Sequence, residues 1–260
     1  MTFLVLNSEQ HHLFKRVLES ALESTEQGLV TIENSDHPLS IHSLDALYTC
    51  QNSTRFAKKC FTTVHVSQSF SGIIDIKALQ TYVWKCKKSK VLKFKITNNE
   101  FVVSEEGSRG SCVVTKRSDH TPYDVVWNMD SPSFRMSSYE FGSILLDLSV
   151  GGTEALIETD ENGNVYFSCQ FESGTNKYVV PPACLLYTSH AKQTSGPYIV
   201  KFLKSFYSMG ILCVECSVKL YPNMIIIQQC DADEYIFNQF IIHKYVGPRR
   251  IPVPKKYLKL

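Results

Sequence analysis

The sequence has no apolar segment long enough to cross a bilayer, because its longest apolar runs, such as Ile225 to Ile227, have only the length of a strand. Its opening, MTFLVLNSEQ, lacks the basic segment, the long apolar segment and the small-residue cleavage site of a secretory signal. The nine cysteines are an odd number at irregular spacing, which indicates reduced thiols rather than a disulfide framework. These absences predict an intracellular protein with no membrane partner.

Motifs of catalysis and metal binding are also missing. The sequence contains no Gly-rich phosphate-binding loop, no H-E-x-x-H and no G-x-S-x-G. Cys213 and Cys216 form one C-x-x-C, but a zinc site of this kind needs a second pair of ligands. The acidic stretch at 231–234 lacks the remaining ligands of a calcium loop. We therefore predict that the protein is not an enzyme and uses no metal and no cofactor.

The net charge of +2 conceals an asymmetry along the chain. The proline-rich segment 248–260 holds five basic residues and no acidic one. Subtracting these five from the 27 basic residues leaves 22, against 25 acidic residues, in the rest of the chain. Such a tail suits contact with phosphates, a signal that directs the protein to the nucleus, or simple solvation. The sequence leaves these three alternatives open.

The spacing of apolar residues predicts strands interrupted by four short helices. Apolar residues recur at helical spacing at 10–22, 75–88, 138–152 and 198–206. The segments between them alternate apolar and polar residues, which predicts strands. Residues 116–133 are polar, contain two prolines and have no sustained period, so they predict a linker.

The two halves of the chain share the order of these elements, which predicts a duplicated α+β unit. We expect a first domain at 1–115, a connector at 116–133, a second domain at 134–247 and the basic tail at 248–260. Each domain then carries two short helices on an antiparallel sheet.

Each predicted helix has an apolar stripe that would face a sheet, and three of the four also carry basic residues. In the second helix the stripe consists of Ile76, Leu79 and Val83, with Trp84 as a further candidate member. The third helix has no basic residue. Solubility explains such residues on any one helix, whereas their recurrence favours a shared function. The basic residues of the other three helices are Lys15, Arg16, Lys77, Lys85, Lys87, Lys88, Lys201 and Lys204.

Two long stretches resemble the sliding-clamp superfamily, which comprises proliferating cell nuclear antigen and the related subunits of the DNA-damage checkpoint clamp. The stretch SYEFGSILLDLSVGGTEALIETDENGNVYFSC is similar to the opening of the family's second domain. The stretch from YIVKFLKSF through MIIIQQCDADEYIFNQFIIHKY is similar to its last helix and last two strands. The helix at 10–22 and the strand LSIHSLDA also match. The resemblance rests on order, spacing and length together.

The resemblance implies the DNA-clamp fold, in which two similar domains with curved antiparallel sheets form one subunit and three subunits close a ring. The helices would line the central hole, and their basic residues would contact the phosphates of a duplex without reading its sequence. We expect an ATP-driven clamp loader to place such a ring on DNA in the nucleus. There it would tether replication, repair or checkpoint proteins.

The third helix departs from the replicative members of the family, because Ser143 and Leu146 occupy positions where those clamps usually carry arginines. Together with the weakly acidic body, this departure favours a subunit of a heterotrimeric checkpoint clamp. A replicative homotrimer and a viral polymerase processivity factor remain alternatives, and so does a DNA-independent interaction scaffold with the same fold. The composition of the ring and the identity of its partners stay open.

The resemblance also implies a hydrophobic pocket beside the connector, where partner proteins insert an aromatic anchor carried on a peptide motif. Each matching residue would suit an ordinary core position equally well. The matching residues are Leu44, Val125, Trp127, Met224, Phe240 and Ile242.

Overall fold

The structure is a computed structural model, and it contains 18 β-strands and four α-helices in the residues that it describes. No helix in this part of the chain is long and apolar enough to cross a membrane. The described residues are 1–45, 49–87, 90–97, 100–107, 111–116, 132–171, 174–210 and 212–245.

The first half of the chain contains nine strands and two helices. Its elements are β1 (Thr2–Leu6), α1 (His11–Ser24), β2 (Gln27–Ile32), β3 (Leu39–Leu44), β4 (Cys50–Phe56), β5 (Phe61–His65), β6 (Phe70–Asp75), α2 (Ile76–Lys85), β7 (Leu92–Thr97), β8 (Glu100–Glu105) and β9 (Ser111–Lys116).

The second half repeats this order of one strand, one helix, five strands, one helix and three strands. The predicted duplication is therefore confirmed, while residues 117–131 of the predicted connector lie outside the described residues. The elements of this half are β10 (Phe134–Ser137), α3 (Ser138–Gly151), β11 (Glu154–Thr159), β12 (Val165–Phe171), β13 (Gly174–Val180), β14 (Tyr187–Thr188), β15 (Gln193–Ile199), α4 (Val200–Gly210), β16 (Cys213–Leu220), β17 (Met224–Asp231) and β18 (Ile236–His243).

The strands form three sheets, and every strand pair among the described residues is antiparallel. One sheet has the order β5-β1-β7-β8-β9 and another the order β13-β12-β11-β15. The largest has the order β14-β10-β16-β17-β18-β4-β3-β2-β6. It contains strands from both halves, because β18 pairs with β4 from Ile236↔Phe56 to Ile242↔Cys50.

The four helices lie in one row, in which α1 contacts α2 and α4, and α4 contacts α3. Three side-chain contacts place helices on the same face of the largest sheet. Asn52 of β4 donates to Ser20 Oγ of α1 at 3.2 Å, and Gln229 of β17 donates to Ser138 Oγ of α3 at 3.2 Å. The ring of Phe240 on β18 lies 3.9 Å from that of Phe206 on α4, measured between centroids. We call the face of the largest sheet that makes these three contacts the helix face.

Helix α2 reaches the helix face by close approach to β2. A Cβ atom added at Gly28 would lie 2.8 Å from Ile76 Cδ1 and 2.6 Å from the carbonyl oxygen of His42. Both distances are below a van der Waals contact, so only glycine allows α2 to pack here.

The predicted apolar stripes form the core of the molecule. In α1, the residues Leu13, Phe14, Val17, Leu18 and Ala21 are all buried. The ring of Phe14 lies 5.5 Å from Phe56 and 5.1 Å from Phe94, which joins α1 to two sheets. Aromatic pairs at such distances add stabilisation beyond the apolar area that they bury.

Helix α2 differs from its prediction at two points. It ends at Lys85, so Lys87 follows the helix, and Lys88 lies outside the described residues. Trp84 was a further candidate member of the apolar stripe, but it is 55% exposed. The buried stripe of Ile76, Leu79 and Val83 already fills the space against the sheet.

The N-terminus of α2 generates a testable prediction, since the Asp75 carboxylate accepts a hydrogen bond from the Ala78 amide at 2.8 Å. We predict that Asp75→Ala lowers the free energy of unfolding by about 1 kcal/mol, because the helix loses its N-cap. Asp75→Asn is the matched control, since asparagine retains the cap oxygen. Urea unfolding measures both variants, and equal losses for the two would contradict the capping role.

Candidate nucleic-acid interface and partner surface

The exposed face of α2 is basic. Lys77, Thr81 and Lys85 follow one another at intervals of four residues on this face, and all three are exposed. Beside them runs an open groove of about 450 Å³ that Tyr82 also lines. Lys87, directly after the helix, is exposed as well, and its backbone amide donates to Glu105 Oε1 at 2.9 Å.

One of these lysines has an acidic neighbour. Lys77 Nζ lies 2.8 Å from Glu26 Oε1, and the hydrogen bond raises the pKa of Lys77. The two side chains are 64% and 69% exposed, and an ion pair in such a position contributes little to stability. A phosphate oxygen can therefore replace Glu26 as the partner of Lys77 at small cost.

The basic face that we predicted for α1 is not formed. Lys15 is only 8% exposed, and its Nζ lies 5.1 Å from the centroid of the Trp84 ring. Arg16 is exposed but forms an ion pair of 2.8 Å with Glu19. Since Glu23 is exposed too, the solvent side of α1 presents one arginine and two glutamates. The prediction failed for Lys15, because it lies on the flank of α1 that α2 covers.

Helix α3 has the uncharged and acidic surface that its sequence indicates. Tyr139 is 62% exposed, Leu146 37% and Val150 86%. Glu140 and Asp147 are exposed beside them. A duplex beside this helix would meet no cation from it.

Helix α4 adds one described cation at its start. Lys201 is exposed, while Phe202, Leu203 and Phe206 on the opposite side are buried. The side chain of Lys204 lies outside the described residues. Exposed positive charge on the described part of the helix row is therefore greatest on α2 and on Lys87, with Lys201 at the start of α4 and the paired Arg16 on α1 as single additions.

Two residues of the predicted partner pocket are contradicted by the structure. Phe240 and Ile242 are fully buried and point to the helix face. Side chains alternate between the two faces of a strand. Their paired residues, Ile227 and Ile225, are therefore buried on the helix face as well. A partner on the outer surface of the sheet cannot reach them.

The opposite face, which we call the outer face, carries the other described members of that prediction. Leu44 and Met224 are half-buried there. The residues at the end of β18 that share this face with them are Ile241, 8% exposed, and His243, which pairs with Met224. Gln51 of β4 pairs with Leu44 of β3 on one side and with Ile241 of β18 on the other, so these three residues lie side by side on the outer face. Val125 and Trp127 lie outside the described residues.

Sequence reasoning missed Ile241 and His243 by one residue. The run FIIH in β18 is apolar at three successive positions, so its pattern does not tell which alternate residues face outward. The polar pair Asn238 and Gln239 before it is buried on both faces and gives no further signal.

The cysteines in the described residues give no support for a catalytic thiol. Cys216 is fully buried, and burial raises its pKa to about 12. Burial also raises the pKa of Cys213. A thiol with a raised pKa is a poor nucleophile and metal ligand. Among the described residues no three His, Cys, Asp or Glu side chains are grouped so that they could hold a metal ion.

Comparison with solved structures identifies clamp proteins of similar fold. A PCNA from A. fulgidus, solved with the C-terminal region of FEN-1, matches with a TM-score of 0.78 and 10% identity, over 95% of this chain and 99% of that one. The PCNA2–PCNA3 complex from Sulfolobus tokodaii matches with a TM-score of 0.75 and 12% identity, over 93% and 98%. A PCNA from Entamoeba histolytica matches with a TM-score of 0.74 and 15% identity, over 94% and 99%.

No protein-family model and no curated protein matches the sequence. The structural likeness nevertheless extends over nearly the whole length of both chains in each comparison. It confirms the predicted fold class, which is an α+β DNA clamp of two similar domains.

The assignment of faces on β18 generates a second prediction. Phe240→Ala should lower the free energy of unfolding by about 3–5 kcal/mol, because it removes a fully buried ring from the core. Phe237→Ala is a matched control on the same strand, since Phe237 is half-buried on the outer face. We expect it to lose only about 1 kcal/mol. Equal losses in urea denaturation would contradict the assignment.

Proposed function

Because the chain has the sliding-clamp fold, we propose that it is a non-enzymatic clamp subunit. The subunit encircles duplex DNA as part of a trimeric ring and tethers other proteins to it. In this proposal a clamp loader places the ring on DNA, and the protein acts in the nucleus.

The observation that carries the proposal is the single row of helices on one side of the sheets. The row gathers the exposed side chains of all four helices on one surface of the subunit. Lys77, Lys85 and Lys201 are on this surface. A wall of this kind contacts phosphates through cations and does not read the base sequence.

Two sheet ends support assembly into a ring. Strand β9 of the first half and β13 of the second half each have one hydrogen-bonded neighbour among the described residues, and each therefore leaves an edge that can pair with another strand. Pairing of β9 in one subunit with β13 in the next is a head-to-tail contact, which closes into a ring when the rotation fits.

The charge distribution favours a subunit of a mixed, checkpoint-type ring. Helix α3 has no cation, and the exposed side of α1 carries more acid than base. Three identical copies would repeat these gaps around the whole hole, whereas different subunits can supply the missing cations. A replicative homotrimer or a viral processivity factor is the alternative.

Partner proteins are proposed to dock on the outer face around Leu44, Met224 and Ile241. This patch is apolar, partly open and on the side of the sheet away from the helices. An aromatic anchor from a peptide motif suits such a patch. The A. fulgidus PCNA was solved with the C-terminal region of FEN-1 bound to it.

A DNA-independent scaffold with the clamp fold is the second candidate. The observation in its favour is the exposed surface of α3, where Tyr139, Leu146 and Val150 accompany two acidic residues. Such a surface suits protein contact better than phosphate contact. The two candidates differ in whether the lysines of α2 contribute to DNA retention.

Charge reversal on α2 separates the candidates. We predict that the double variant Lys77→Glu, Lys85→Glu lowers the affinity for linear duplex DNA, on which no ring is held by topology. Loss of two phosphate contacts should reduce the slope of log affinity against log salt by roughly 1.8. The matched control is Lys58→Glu, Lys192→Glu, which changes the net charge equally at exposed positions away from the helix row. Unchanged affinity and an unchanged salt slope in the α2 variant would favour the scaffold.

The composition of the ring is tested by sizing the full chain alone and mixed with candidate clamp subunits. We predict that the chain alone does not form a stable trimer and that a trimer forms only with different subunits. Size-exclusion chromatography with light scattering gives the masses directly. A stable homotrimer would overturn the checkpoint-type assignment and favour the replicative one.

A further inference from the structure

One large aromatic side chain on the helix row is exposed at an unusual place. Trp84 near the end of α2 is 55% exposed, although tryptophan is strongly buried on average. It lies on the side of α2 that borders α1, since Lys15 of α1 contacts its ring. Packing of α2 against the sheet does not need this side chain, because Ile76, Leu79 and Val83 form the buried stripe.

The indole ring is held in place from one side. The ammonium group of Lys15 lies 5.1 Å from the ring centroid, which is within cation–π distance. Lys15 is only 8% exposed, so its ammonium group is largely withdrawn from water. The cation–π attraction is stronger for a desolvated cation. A ring that is supported on one face and exposed to solvent elsewhere is pre-organised for a flat ligand.

The segment that carries the ring is rich in lysine and favours an anionic ligand. Residues 76–95 include seven lysines and no aspartate or glutamate. Of these lysines, Lys77, Lys85, Lys87 and Lys90 are exposed. A ligand that suits both the ring and these cations has flat aromatic groups attached to a negatively charged backbone. Single-stranded nucleic acid has this chemistry, whereas the base faces of a duplex are covered by stacking.

We infer that Trp84 is a stacking platform for an unpaired base, so that α2 binds single-stranded DNA in addition to the phosphates of a duplex. One base stacks on the open face of the indole, and Lys85 and Lys87 contact the adjoining phosphates. A clamp with this site would favour DNA that contains a gap or an unpaired end. The inference rests on the proposed function in so far as both place DNA against α2.

Tyr139 on α3 provides a matched comparison within the same row. It is 62% exposed, but the exposed charged residues described on its helix are Glu140 and Asp147 rather than lysines. An aromatic ring without cations lacks the electrostatic attraction that brings a nucleic acid to it. Tyr139→Ala therefore controls for the mere loss of an exposed aromatic side chain.

The fluorescence of Trp84 tests the inference directly. The chain has two tryptophans, so the full-length variant Trp127→Phe leaves Trp84 as the only one. An oligothymidylate of about 16 nucleotides should quench this emission, because stacking places a base on the ring. A blunt duplex of the same length should bind without comparable quenching. Polyglutamate serves as an anionic chain without bases and should not quench.

Fluorescence anisotropy with a labelled oligothymidylate measures how much Trp84 contributes to the binding affinity. We expect Trp84→Ala to weaken binding by roughly tenfold, which corresponds to about 1.4 kcal/mol. Trp84→Phe retains a ring and should restore most of the affinity, while Tyr139→Ala should bind as the parent does. The quenching measurement uses the native ring, so it decides the matter even where Trp84→Ala fails to fold.

The outcomes separate this inference from the clamp proposal. Binding of oligothymidylate without quenching of Trp84, or equal quenching by polyglutamate, would overturn the stacking role. If circular duplex is still retained in that case, the clamp proposal stands alone. Quenching by single-stranded DNA without any retention on circular duplex would support the stacking site and overturn the clamp. Failure to bind either form of DNA would overturn both.

Discussion

The antiparallel pairing of β18 with β4 is the interaction on which the rest of the structure depends. It connects the last strand of the second half to the first half over seven register pairs, from Ile236↔Phe56 to Ile242↔Cys50. Because one sheet then contains strands of both halves, the helices of both halves lie on the same face of it. The sheet thereby separates two surfaces with different chemistry, a row of helices on one side and an outer face with Leu44 and Met224 on the other.

The same packing decides which charges reach solvent. Lys15 is basic, but α2 lies against its flank of α1, and the ammonium is held by the Trp84 ring instead of by water. Arg16 is exposed but has Glu19 as its partner. Helix α2 has no neighbouring helix on its other side within the row, and its lysines stay exposed. The charge of a helix surface therefore follows from its neighbours as much as from its own sequence.

Sequence periodicity predicted the features that depend on local repetition. The helical spacing of Leu13, Phe14 and Val17 identified the core side of α1, and the repeated order of elements identified the two domains. Features that depend on contacts between elements were not accessible. The run FIIH permits either face of β18 to be apolar, and only pairing with β4 and β17 places Phe240 inward and Ile241 outward. Lys15 is buried because α2 packs against it, so the sequence of α1 alone does not predict its burial.

An uneven distribution of cations over the helix row is compatible with the proposed clamp for a physical reason. A protein that grips DNA by affinity needs many phosphate contacts, and each makes its binding more sensitive to salt. A closed ring is retained by topology, so a few cations suffice to orient the duplex, and the other helices are free to carry different side chains. On this argument the lysines around Trp84 and the cation-free surface of α3 need not be parts of one uniformly basic wall. In the proposed ring they would divide the surface into a segment that contacts DNA and a segment that leaves it free to slide.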